Sequence, residues 1–157
     1  MESIVLDADR RLHGPYTFAA ALLDRLVPEA LGRGPDLVAA YDIEIGVAAP
    51  HLSIPRSRRS LAETLPRAQR ILIPGARRTL RIANGLAEFV RDHLTRTRPL
   101  AVTVDNLDAA DPTDTELVEV LRRRVRPDLL RIVPGRSAPS AGPLAADFDR
   151  FRDEGFH

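Results

Sequence analysis

Short apolar runs alternate along this chain with longer stretches in which apolar side chains recur every three or four positions. The first run, SIVL at residues 3–6, ends in Asp7 and predicts a buried strand. LAVTV at residues 100–104, ending in Asp105, predicts a second. Residues 129–133, followed by Gly135, Arg136 and Ser137, predict a third. From Thr17, a natural helix cap, FAAALLDRLV is apolar all round and predicts a well-buried helix that Pro28 ends or kinks. Gly32, Gly34 and Pro35 mark a turn. The following stretch is ambiguous, with a short helix to Tyr41 and a strand near residues 42–47 as its reading.

Further along, Arg56, Arg58 and Arg59 lie in a polar loop. Ser60 and Glu63 have capping-box spacing for a short helix that Pro66 closes. Residues 75–97 predict a long helix, with Ala76, Leu80, Ala83, Ala87, Val90 and Leu94 on one stripe that Leu86 and Phe89 widen. Thr113 and Glu116 form a second capping box, opening a helix whose arginine-rich end complements the negative helix terminus. Residues 138–157 read as a linker and charged tail, leaving residues 1–137 as the domain.

Strands alternating with helices predict an α/β fold, a mostly parallel sheet flanked by helices on both faces. Ligands of such sheets sit at the carboxyl ends of the strands. Asp7, Asp105 and the 135–137 turn all fall there and are expected to converge.

Composition narrows the chemistry. With 157 residues, 44% hydrophobic and 29% charged, the chain has the make-up of a globular domain with a real core. It has no cysteine, which excludes disulfides and thiolate metal sites. It lacks both a signal-peptide pattern and any apolar run long enough to span a membrane, so a cytoplasmic location without a membrane partner is expected. A net charge of +1 creates no global pull toward nucleic acid. All 23 basic residues are arginine, so no mechanism can use a side-chain lysine.

The most informative stretch is residues 99–137, PLAVTVDNLDAADPTDTELVEVLRRRVRPDLLRIVPGRS. It resembles the Walker B region of the STAND-type P-loop ATPases, including those of large LuxR-like regulators. The resemblance implies a P-loop NTPase-like fold, truncated here. It makes Asp105 the magnesium-holding acid and puts Asn106 at the position of the water-positioning acid. It matches Asp108 and Asp111 to the loop, and Arg136 and Ser137 to a polar sensor. Upstream, Gly14, Pro15, Tyr16 and Thr17 stand where the Walker A loop belongs, with Thr17 at the magnesium-binding hydroxyl. The glycine-rich nest and its lysine are missing, and Pro15 removes a backbone donor. Arg10 and Arg11 are the nearest substitutes for the lost charge. Gly14, Thr17, Asp105 and Arg136 are therefore the candidate nucleotide-binding residues, and Asp105 the candidate metal ligand.

Other constellations are weaker. Asp105, Asp108, Asp111 and Asp114 suggest a calcium loop, but the sixth position is Ala110, where an EF-hand needs glycine. Asp111 and Asp114 read better as acids at a helix start. His13, His51, His93 and His157 share no ligand spacing. His93 reads as structural, and only His13 is close to the proposed site. Arg122, Arg123, Arg124 and Arg126, with Arg131, offer a basic run that reads best as a solvated helix end. The expected function is a non-hydrolysing regulatory or scaffolding module with no cofactor, or weakly bound Mg-ATP, acting on a protein partner or on itself. An unconventional nucleotide-binding ATPase and a fragment of a nucleic-acid-binding regulator are the alternatives. The apolar stripe of the 75–97 helix, with Leu94, is the expected contact surface.

Overall fold

The computed structural model describes residues 1–55 and 75–137. The expected 60–65 helix, the arginines at 56, 58 and 59, and the 138–157 segment with His157 lie outside these residues. Strand β1 (Glu2–Asp7) leads through α1 (Arg10–His13) into the long helix α2 (Thr17–Arg33). Two short helices follow, α3 (Asp36–Ala40) and α4 (Asp42–Ala48). Helix α5 (Gly75–Arg96), strand β2 (Leu100–Asp105), a single 3-10 turn (Leu107–Ala109), helix α6 (Pro112–Arg124) and strand β3 (Leu130–Pro134) complete the described elements.

The three strands form one parallel sheet in the order β1-β2-β3, as the apolar runs predict. Glu2 pairs with Leu100 and Leu100 with Leu130, so the three strands are in register from their amino ends. Ile4, Leu6, Leu100, Val102, Val104, Leu130 and Ile132 share one face and join the core. Ser3, Val5, Ala101, Thr103, Arg131 and Val133 share the other. Val5 remains 64% and Val133 40% exposed there. Among the described residues, helices cover one face of the sheet. Strand order explains this. When order in space follows order in the chain, right-handed crossovers bring both connections back on the same side.

Two local expectations also change. Pro28 does not end α2, which continues to Arg33. Proline removes one intrahelical donor, but Val27 and Ala30 extend the buried face of Leu23 and Leu26, and that burial offsets the loss. Residues 42–48 are helical, where a strand was expected. The helix buries Asp42, Ile45 and Ala48 at three-residue spacing and leaves Ile43 and Val47 exposed. It lies close on α5 because Gly85 has no side chain; a Cβ there would sit 2.5 Å from Cγ of Glu44. The α5 stripe itself is core. Ala83, Leu86, Ala87, Phe89, Val90 and Leu94 are all buried, while Leu80 is 38% exposed. Leu94 therefore does not present a contact surface, contrary to expectation.

Candidate functional site

The carboxyl edge of the sheet is built by the strand ends themselves. Asp7 and Asp105 are register partners, as expected from their positions in the sequence. Oδ1 of Asp7 accepts from the backbone N–H of Asp9 at 2.9 Å and from Nδ2 of Asn106 at 3.0 Å. Oδ1 of Asp105 accepts from the backbone N–H of Arg136 at 2.8 Å. The Arg136 carbonyl in turn accepts from the Asn106 N–H at 2.6 Å. Asn106 adopts a left-handed φ of 58°, a conformation that asparagine tolerates better than most side chains. Asp105 and Arg136 thus do meet, but through the Arg136 backbone. The carboxylate's contact is a structural tie from β2 to the chain leaving β3.

Gly135 makes that tie feasible. A methyl group there would overlap Oδ1 of Asp105 and lie 2.7 Å from Cγ2 of Thr103. Gly135→Ala is expected to displace the Asp105 side chain and cost about 2 kcal/mol. Urea denaturation checks this, and an unchanged midpoint would show that the turn accepts a side chain.

Asp9 anchors the loop after β1. It caps α1 through the Arg11 N–H and takes the Arg11 guanidinium on both oxygens, with Nη2 at 2.6 Å. Those bonds hold its carboxyl down to about 2. Arg11 is therefore engaged with Asp9, although the sequence offers it as a substitute for a phosphate-binding lysine.

The Gly14–Thr17 loop ends at the amino terminus of α2. Gly14 has φ +80° and Tyr16 φ 63°. Thr17 is buried, and its hydroxyl donates to the Gly14 carbonyl at 2.8 Å. The free N–H groups that open α2 are already taken. Phe18 and Ala19 donate to the two carboxylate oxygens of Asp114, each at 3.1 Å. The Tyr16 N–H donates to Thr113 Oγ1 at 3.2 Å. Asp114 is wholly buried, and burial pushes its carboxyl up to about 6 against the opposing pull of the backbone donors. A carboxylate on α6 thus occupies the position at a helix amino terminus where an external anion would bind.

Helix α6 starts differently from the expected capping box. Its cap is Asp111, which accepts from the Thr113 N–H at 3.0 Å, with Pro112 in the first turn. Asp111 and Asp114 are both helix-start acids, as read, but Asp114 serves a neighbouring helix as well. No hydrogen bond joins the Gly14–Thr17 pair to the Asp105–Arg136 pair among the described residues. Nor do three acidic or imidazole side chains converge there for a metal ion.

The remaining candidates fall into place separately. His13 and His51, far apart in sequence, have ring centroids 6.4 Å apart, and His51 Nε2 meets Asp24 Oδ1 at 2.6 Å. His93 is buried against Glu29 and stacked on Phe89, the structural role expected of it. In the basic run, Arg122 donates to the Ile132 carbonyl, Arg124 pairs with Glu88 and Arg126 with Asp128. No described helix is long and apolar enough to cross a membrane. Comparison of the chain with protein-family models, curated proteins and solved structures finds no match.

Proposed function

We propose that the chain is a degenerate, non-hydrolysing relative of the P-loop NTPases, a cytoplasmic regulatory or scaffolding module that acts through protein contacts. One observation carries this reading. The helix terminus that would receive a phosphate holds the buried carboxylate of Asp114 instead. An incoming phosphate would have to displace an anion of its own sign, with no lysine in the chain to attract it. Asn106, in the place of the second acid, has an amide that donates to Asp7 and cannot take a proton from water. The exposed outer face of the sheet, with Val5 and Val133, supports a role in contacts.

Calorimetry with Mg-ATP tests the proposal. No binding heat at micromolar concentrations and no phosphate release are expected. Low-micromolar affinity would overturn it in favour of an unconventional ATPase, and Thr17→Ala would then report whether the Gly14–Thr17 loop is responsible.

A further inference from the structure

The far end of α2 carries a second feature, unrelated to the nucleotide question. There the end of α2, the start of α3 and the end of α5 line an open cavity of about 160 Å³. Arg33, Arg96, His93 and Asp36 supply its polar wall, and Ala30 and Leu37 its apolar part. Its base is fixed. His93 is 1% exposed, holds Glu29 at 2.8 Å and stacks on Phe89 with ring centroids 6.1 Å apart. The rim differs, because neither Arg33 nor Arg96 forms an ion pair among the described residues. Their neighbours Arg25 and Arg98 are neutralised by Glu2, and Arg98 by Glu29 as well. An arginine at a helix end answers the partial negative charge of the last carbonyls. That accounts for each arginine singly, but not for a hollow walled by both.

We infer that this cavity binds a small oxyanion, a phosphate or a carboxylate, clamped between Arg33 and Arg96. Two guanidinium groups face one carboxylate and the partial negative charge of two helix ends, and guanidinium matches both ligand types in geometry. The volume lies below the usual size of drug-like pockets, which suits inorganic phosphate or a short carboxylic acid. Asp36 opposes highly charged ligands and favours those that bring a hydroxyl or amine beside the anionic group.

Thermal unfolding in sodium phosphate, in sodium acetate and in sodium chloride of matched ionic strength tests this. Phosphate or acetate at about ten times half-saturation is expected to raise Tm by roughly 3 °C over chloride. The active salt identifies which oxyanion the cavity prefers. R33Q and R96Q remove exposed side chains at helix ends, so each is expected to lower Tm in chloride by no more than about 4 °C, and the salt effect is read against each variant's own Tm in chloride. Each is expected to weaken binding at least fivefold, whereas D36N tightens it. Equal Tm in all three salts would overturn the inference, as would a phosphate or acetate effect that survives in the R33Q/R96Q double variant.

Discussion

Asp114→Ala is expected to destabilise the protein by about 2 kcal/mol at pH 7, because it strands the buried N–H groups of Phe18 and Ala19. The loss should depend on pH in a defined direction. The Asp114 carboxyl is raised from 3.8 to about 6, so the folded chain holds this proton more tightly than the unfolded chain. The stability linked to that proton is complete below pH 4 and disappears as pH rises through 6. The parent should therefore gain about 1 kcal/mol relative to the variant on going from pH 7 to pH 5. Glu44, which burial also raises, titrates in both proteins and cancels in the comparison. Urea titrations of the two proteins at the two pH values provide the measurement. A difference that shrinks toward pH 5 would mean that Asp114 is not the buried group described.

Leu94→Glu is expected to cost more, about 4 kcal/mol, a large fraction of the roughly 5–15 kcal/mol that stabilises an ordinary domain. Leu94 is 3% exposed within the core cluster that also holds Leu26 and Leu100. A carboxylate introduced there would be buried or would force α5 away from the sheet. Circular dichroism should report a Tm lowered by roughly 8–16 °C. A native spectrum with an unchanged Tm would contradict the packing of α5. The substitution is therefore unsuited to probing association, since a weakened complex would report the disturbed packing of α5 and not a lost contact. Val5→Lys and Val133→Lys, on the exposed sheet face, are the appropriate probes of contact.

Much of the fold was legible because the strands and the longer helices carry their own periodicity. The strand errors have local causes. Ile43, Ile45 and Val47 alternate as a strand would, although only Ile45 is buried and the helix faces inward through Asp42 and Ala48 as well. The one-sided sheet also had a signal. Ser3, Ala101 and Thr103 are small or polar at every second position and fall on one face. The apolar runs around them concealed that alternation. At the strand ends, the meeting of Asp7 with Asp105 was readable, because strand-end acids in a parallel sheet share an edge. Asp114 was not readable in its main role. Its partners, Phe18 and Ala19, lie 96 and 95 residues away, and no local pattern connects them. Pro112 following Asp111 did mark the true start of α6, and so placed Asp114 in its first turn. The cavity between Arg33 and Arg96 likewise joins segments whose proximity only the packing of α2 on α5 creates.

The register of the sheet also sets an order of events in synthesis. Strand β1 is made first, yet its partner runs from Leu100 to Asp105. At roughly 5–20 residues per second, β1 waits on the order of 5–20 s before any described strand can pair with it. The amino terminus of α2 waits about as long for Asp114, whose partners Phe18 and Ala19 lie 96 and 95 residues before it. Closing so long a loop before the contacts repay it favours slow folding. The nascent chain must meanwhile carry Ile4, Val5 and Leu6 unpaired, a stretch suited to capture by a chaperone until β2 emerges.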